Sequence, residues 1–170
     1  MGATGSRQRP ISTRGGSLAT PPGMHRPLRL TLDRAALQHN WRWLQERAGA
    51  PAGAAIKADG YGIGAKESMA ALHEAGCRTF FVSTYAEAEE LGAGRADSSL
   101  VVLHGVAPGD SEAALASSAR PVLNSAEQVQ RWKAMAPERP CDVMIDTGMN
   151  RLGLEPVSYT HLTLPTNREV

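Results

Sequence analysis

The segment AAIKADGYGIGAK, residues 54–66, joins an apolar run to a glycine-rich turn and then to the start of a helix. The apolar run predicts a buried strand over residues 53–58. Lysine is rarely buried without a partner or a function, yet Lys57 lies in this run, and Tyr61 and three glycines follow it. The segment therefore predicts a strand–turn–helix unit with Lys57 as a candidate functional residue at the end of the strand.

Three interpretations of this unit follow from the residues alone. Gly60, Gly62 and Ala65 have the spacing of a dinucleotide-binding fingerprint, in which backbone amides at a helix N-terminus bind phosphate. That fingerprint also needs an acidic residue at the end of the next strand, where this chain has Ser-Thr-Tyr at 83–85. Alternatively, a lysine amine held partly out of water is a nucleophile suited to pyridoxal phosphate. The structural alternative is a lysine that extends its amine to solvent.

Apolar strands and amphipathic helices alternate on both sides of this unit. Strands are predicted at residues 28–32, 53–58, 79–84, 99–105, 121–124 and 142–146. Helices are predicted after Asp33 and at residues 65–76, 85–94, 109–118 and 125–136. Such alternation indicates a parallel sheet covered by helices. Both a doubly wound sheet and a (β/α)8 barrel fit, but a complete barrel needs about 250 residues. A barrel formed by these 170 residues would therefore be incomplete.

Composition narrows the class of protein. Hydrophobic residues make up 42% of the chain and charged residues 21%, with a net charge of +1, so neither nucleic acid nor a membrane surface is predicted as a partner. Cys77 and Cys141 are isolated, which fits a reducing cytoplasm.

No apolar run approaches the roughly 20 residues of a membrane span. Residues 1–26 are rich in Gly, Ser, Pro and Arg, and this composition predicts a disordered extension.

Two longer motifs identify a family resemblance. IKADGYGIG, residues 56–64, resembles the cofactor-lysine motif of bacterial alanine racemases, and DTGMNRLGL, residues 146–154, resembles that family's second signature. Lesser matches occur in the family's order. They are LTLDRAALQHNWRWL at 30–44, FFVSTYAEAEELGAG at 80–94, VVLHGVAPG at 101–109 and PVLNSAEQVQRW at 121–132. The resemblance covers residues 28–156.

The resemblance implies a fold and an activity. Family members form an eight-stranded α/β barrel of the TIM type followed by a β domain, and they assemble as homodimers. They interconvert L- and D-alanine through a pyridoxal 5'-phosphate aldimine and supply D-alanine for cell-wall peptidoglycan. The family pattern assigns the strand at 28–32 to the β domain, so we expect about five barrel strands here. The expected location is the cytoplasm.

The resemblance also implies roles for four residues. Lys57 would bind the cofactor covalently and act as one of the two bases that racemisation requires. Tyr61 would hydrogen-bond the cofactor phosphate. Arg151 would contact the cofactor's phenolic oxygen and lie near the substrate carboxylate, and Met149 would line the substrate entrance at the dimer interface. The second base would be a tyrosine from the partner's β domain.

The chain departs from the family pattern in three places. Met144 occupies a position where some members carry a carbamylated lysine, and Ile63 replaces the usual histidine. After Pro156 the pattern stops. We therefore expect a disordered extension at 1–26, a partial barrel at 27–156 and a non-family tail at 157–170. The remaining barrel strands and the β domain would be missing, and the fragment alone would be inactive.

Two alternatives share the cofactor. A non-catalytic pyridoxal-phosphate-binding barrel protein also carries a lysine on its first strand, but it lacks the DTGMNRLG loop, so Arg151 argues against it. A broad-specificity amino-acid racemase is the other alternative. It is often exported, and no signal peptide is evident.

Overall fold

Five short parallel strands and the helices between them make up the residues that the computed structural model describes, 30–92 and 97–157. The strands are β1 (Ala54–Ala55), β2 (Thr79–Val82), β3 (Ser99–Val102), β4 (Arg120–Leu123) and β5 (Asp142–Val143). The helical elements are α1 (Arg34–Ala48), α2 (Lys57–Tyr61), α3 (Ala65–Ala75), α4 (Tyr85–Leu91), α5 (Ser111–Ala116) and α6 (Ala126–Met135). A 3₁₀ turn at Pro108–Asp110 precedes α5.

Polar side chains fix where several helices begin. Asp33 accepts a hydrogen bond from the Ala36 N–H at 2.9 Å at the start of α1. Ser125 accepts one from the Gln128 N–H at 3.3 Å at the start of α6. Each oxygen satisfies a backbone donor that has no partner within the helix. Asp33 and Ser125 are therefore the N-terminal caps of α1 and α6.

The strand order distinguishes between the two predicted architectures. The order is β1-β2-β3-β4-β5, and every neighbouring pair is parallel. A doubly wound sheet reverses its strand order at a switch point, whereas a (β/α)8 barrel adds each strand beside the previous one. The sequential order confirms an α/β fold with five strands of a partial TIM-type barrel.

The core lies on both faces of the central strands. Val101 and Val102 are adjacent on β3 and point to opposite faces, yet the exposed fraction is 0% for one and 1% for the other. Phe80 on β2 is likewise fully buried. On the helix side, Met69 of α3 and Trp132 of α6 pack into the same cluster. Burial on both faces is what the near-continuous apolar run at 99–105 predicts.

The structure corrects three local predictions. Residues 30–32 of the predicted strand 28–32 do not form a strand, because none of the described residues pairs with them; positions 28–29 lie outside the described residues. The strand predicted over 53–58 ends at Ala55, so Lys57 lies beyond it. The helical spacing of Leu44 from Leu37 and Trp41 predicts that it lies on the inner face of α1, but Leu44 is 56% exposed. The predicted extension at 1–26 and residues 158–170 of the predicted tail lie outside the described residues.

Candidate active site

The carboxyl ends of the five strands place the candidate residues along one edge of the sheet. Lys57 follows β1, His104 follows β3 and Asn124 follows β4. Residues 146–153, here called the arginine loop, follow β5. Parallel strands end at the same edge, and enzymes with barrel folds place their active sites there. This edge is therefore the candidate active site.

Lys57 opens a turn with unusual backbone geometry. Ala58 and Asp59 both have a φ of 51°, Gly60 has 63° and Tyr61 has 57°, so α2 is a single left-handed turn, here called the lysine turn. Left-handed geometry costs about 1–2 kcal/mol for each residue with a Cβ atom. Three of the four residues carry that cost. Backbone strain of this kind persists only where the surrounding structure enforces it, and it is concentrated at functional sites.

The lysine turn is tied to the helix that follows it. The Gly60 N–H donates to the Ile56 carbonyl at 2.8 Å, which closes the turn. The Asp59 carboxylate accepts the Ala65 N–H at 2.8 Å, which caps the first turn of α3. A Cβ atom on Gly60 would come within 3.1 Å of the Ser68 Oγ. These contacts define the geometry of the turn, because each partner belongs to a packed element.

A second set of contacts ties the lysine turn to α4. The Glu87 carboxylate accepts the Ala58 N–H at 2.9 Å through one oxygen and the Ser83 N–H at 2.6 Å through the other. Sequence reasoning did not identify this role for Glu87. Its position in the first turn of α4 is the only signal in the sequence, and that position predicts a local cap rather than a contact with residues far away in the chain.

The Lys57 side chain is half-buried. Among the described residues, its amine makes no hydrogen bond or ion pair. A lysine with an ion-pair partner would be held as a structural cation, whereas an amine without one remains available to a ligand. Tyr61, four positions later on the same turn, has its side chain 65% exposed. The lysine turn therefore presents an amine and a phenol at the carboxyl edge.

The arginine loop is held closed at its base and organised by one carboxylate. The Leu154 N–H donates to the Met144 carbonyl at 2.8 Å, and the Asp146 N–H donates to the Leu154 carbonyl at 2.9 Å. Inside the loop, the Asp146 carboxylate accepts the N–H groups of Gly148 at 2.9 Å and Asn150 at 3.1 Å. These backbone hydrogen bonds lower the pKa of Asp146 below its ordinary value. The loop is thus ordered by its own backbone.

The arginine loop directs two predicted site residues outward. Arg151 is exposed, and Met149 is 74% exposed. Three strands separate β1 from β5 in the sheet. Within the described residues, no hydrogen bond or ion pair joins Lys57 or Tyr61 to Arg151. The structure therefore brings the four predicted residues to one edge in two pairs, on the lysine turn and on the arginine loop.

Between these two pairs, an amide network stiffens the edge. The Asn124 side-chain NH₂ donates to the carbonyls of Leu103 at 2.8 Å and Val122 at 3.0 Å. Gln128 accepts the Asn124 backbone N–H at 2.9 Å and donates to the His104 carbonyl at 3.1 Å. Side-chain amides thus join the ends of β3 and β4.

A cavity of about 730 Å³ lies elsewhere, against α4, Gly109 and α5. Tyr85 lines it, and none of the four predicted site residues does. Among residues 30–92 and 97–157, no cluster of His, Cys, Asp or Glu could hold a metal ion. In the same described ranges, the helices are too short or too polar to cross a bilayer.

Comparison with known sequences identifies relatives over most of the chain. A family profile described as alanine racemase, N-terminal domain, matches residues 32–164. The chain is 46% identical over 139 residues to the alanine racemase of Methylobacterium nodulans, covering 79% of this chain and 38% of that protein. It is 43% identical over 132 residues to the biosynthetic alanine racemase of Agrobacterium fabrum, covering 75% of this chain and 34% of that protein. The chain therefore spans well under half the length of these relatives.

Solved structures give the same match. The alanine racemase of Bartonella henselae, described with covalently bound pyridoxal phosphate, superposes with a TM-score of 0.67 at 32% identity, covering 76% of this chain and 38% of that one. The biosynthetic alanine racemase of Pseudomonas aeruginosa superposes with a TM-score of 0.65 at 33% identity, covering 78% of this chain and 38% of that one.

Proposed function

Since the chain belongs to the alanine racemase family, we propose that it carries the lysine-bearing part of an isomerase that interconverts L- and D-alanine with pyridoxal 5'-phosphate. The D-alanine would supply peptidoglycan synthesis. The complete enzyme would work in the cytoplasm as a homodimer. One observation carries the proposal: Lys57, which is half-buried, lies on a strained, tightly held turn at the carboxyl edge of a parallel sheet.

The side chains at this edge fit the chemistry of the cofactor. Pyridoxal phosphate has an aldehyde, a phosphate and a phenolic oxygen. Lys57 offers an amine without an ion-pair partner among the described residues, and Tyr61 offers an exposed phenol four positions later. Arg151 offers a guanidinium, which remains a cation at any physiological pH. We assign Lys57 to the aldehyde, Tyr61 to the phosphate and Arg151 to the phenolic oxygen.

When bound, the cofactor withdraws electrons from the bond between the substrate Cα and its hydrogen, which makes that proton removable. The Lys57 Nζ would take and return the proton on one face of the Cα. Arg151 would also orient the substrate carboxylate, because a guanidinium binds carboxylates in a fixed plane. Met149, exposed on the arginine loop, would line the substrate entrance. A tyrosine of the partner subunit's β domain would serve the opposite face.

Covalent trapping tests the assignment of Lys57. The purified chain is mixed with pyridoxal phosphate, reduced with borohydride and digested, and the modified lysine is located by mass spectrometry. We expect the adduct on Lys57, and we expect Lys57→Ala to abolish it. Lys57→Arg should not restore it, because a guanidinium does not lose its proton to become a nucleophile.

Lys66→Ala is the matched control, because Lys66 is an exposed lysine in the first turn of α3. This variant should keep the adduct on Lys57. An adduct that persists at Lys66 in the Lys57→Ala protein, with the wild-type yield, would contradict the proposed function.

A further inference from the structure

We propose that Glu87 is a positioning residue that sets the orientation of Lys57 by holding the lysine turn through its carboxylate. The Glu87 carboxylate accepts hydrogen bonds from the Ala58 and Ser83 N–H groups, and this pair of hydrogen bonds is here called the bridge. The consequence for cofactor binding rests on the proposed function, whereas the bridge itself does not. Glu87 lies in the family match at 80–94, but the resemblance assigns it no role, and it would not touch the reacting atoms.

The bridge joins the ends of two adjacent strands. The Ala58 N–H belongs to the residue directly after Lys57, and the Ser83 N–H belongs to the residue directly after β2. The two Glu87 oxygens accept these donors at 2.9 Å and 2.6 Å. The peptide plane that carries the Ala58 N–H also contains the Lys57 carbonyl. Holding that N–H therefore fixes the backbone direction from which the Lys57 side chain extends.

The strain of the lysine turn explains why such a bridge is needed. Ala58 has a φ of 51°, a value that residues with a Cβ atom avoid. Left-handed geometry over three such residues would relax without contacts that hold it in place. A hydrogen bond to a charged acceptor is among the stronger hydrogen bonds in proteins, so it can offset part of this strain. The bridge acts at the first strained residue.

A carboxylate is the side chain that this arrangement requires. Both partners are N–H donors, and a carboxylate has two acceptor oxygens and no donor. Glutamine would keep one acceptor but would direct its NH₂ group at the other N–H. Aspartate would be one methylene shorter and could not reach both donors from α4.

The packing of helix α4 holds the backbone of Glu87 in place. Thr84 caps the helix by accepting the Glu87 N–H at 3.3 Å. Tyr85 and Ala88, on either side of Glu87 in the chain, are buried against the core at 5% and 2% exposure. Glu87 itself is half-buried, so water screens its hydrogen bonds less than those of an exposed carboxylate. The carboxylate is therefore held by the packed part of the fold.

Amide hydrogen exchange of the 170-residue chain without cofactor tests the bridge. In Glu87→Ala, the Ala58 and Ser83 amides should exchange about tenfold faster or more, as expected for the loss of a charge-assisted hydrogen bond. In Glu87→Gln, one of the two amides should keep its protection. Glu90→Gln, an exposed acid on the same helix, is the matched control and should leave both unchanged. The backbone N–H of Asn124, which donates to the Gln128 side chain at 2.9 Å, serves as the control: its unchanged exchange shows that the fold is intact.

Covalent trapping with pyridoxal phosphate tests the positioning role, with the share of adduct on Lys57 compared with Lys66 and Lys133 as the readout. Wild type and Glu90→Gln should place the adduct predominantly on Lys57, Glu87→Ala should distribute it among the lysines, and Glu87→Gln should be intermediate. If Glu87→Ala does not fold, Glu87→Gln decides both measurements.

The outcomes separate the two proposals. Unchanged exchange of Ala58 and Ser83 in the Glu87 variants would overturn the bridge. Faster exchange with the wild-type share of adduct on Lys57 would overturn the positioning role and leave the proposed function standing. Absence of an adduct on Lys57 in the wild-type chain would overturn the proposed function and with it the positioning role, whereas the exchange result would still decide the bridge.

Discussion

Gly153→Ala should destabilise the chain through a collision at the base of the arginine loop. A Cβ atom at Gly153 would come within 2.7 Å of the Asp146 backbone nitrogen and 3.0 Å of the Ile145 carbonyl carbon. Both atoms belong to backbone, so neither can move away as a flexible side chain would. The Asp146 N–H that closes the loop at 2.9 Å would be displaced. Forced overpacking of this kind costs about 1–3 kcal/mol.

Gly148→Ala is the matched control for this prediction. Gly148 lies in the same loop with a φ of +127°, close to the +119° of Gly153, but an added Cβ would meet nothing within 4 Å. The positive φ and the loss of glycine's freedom in the unfolded chain therefore affect both variants in the same way. The difference in their free energies of unfolding isolates the collision.

Urea unfolding followed by far-UV circular dichroism measures this difference. We expect Gly153→Ala to be less stable than Gly148→Ala by about 1–3 kcal/mol. Equal stabilities of the two variants would refute the close approach of Gly153 to the backbone of Ile145 and Asp146, and with it the closed base of the arginine loop.

Two titratable groups give further predictions. Because the pKa of Asp146 is lowered in the fold from 3.8, its carboxylate stabilises the protein above that value, and the advantage over Asp146→Asn should shrink as the pH falls below it; urea unfolding across pH 2–6 checks this, and a constant difference would contradict it. Burial raises the pKa of Tyr85 from 10.0 to about 12. Wild type should therefore lose stability relative to Tyr85→Phe as the pH rises through that interval. A difference in melting temperature between the two proteins that stays constant across the interval would contradict this.

The sequence predicts the fold well because the decisive signals are local. The cap at Asp33, the glycine that ends α3 at Gly76 and the apolar run of β3 each act within a few residues, so their spacing predicts the elements. The family motifs also locate the lysine turn and the arginine loop. Periodicity alone leaves two architectures open, because strand order depends on contacts between distant segments.

The details of the site depend on contacts that spacing does not encode. The apolar residues before Lys57 favour a strand, but Ala58 is bound by Glu87, 29 positions later in the chain, and the backbone turns left-handed. At the predicted strand 28–32, the missing information is the absence of a pairing partner. Its residues have strand-forming side chains, but positions 30–32 find no partner strand among the described residues. Local propensity does not specify either outcome.

The strand order also has a consequence for synthesis on the ribosome. Each strand from β2 to β5 pairs with the strand that precedes it in the chain. A nascent chain, which emerges N-terminus first at roughly 5–20 residues per second, can therefore dock every new strand and helix onto an edge that already exists. Until the next strand docks, the newest edge is also a template for another chain, because an unpaired strand presents free backbone N–H and C=O groups. Crowding of nascent chains on one messenger RNA should therefore favour aggregation over orderly growth of the sheet.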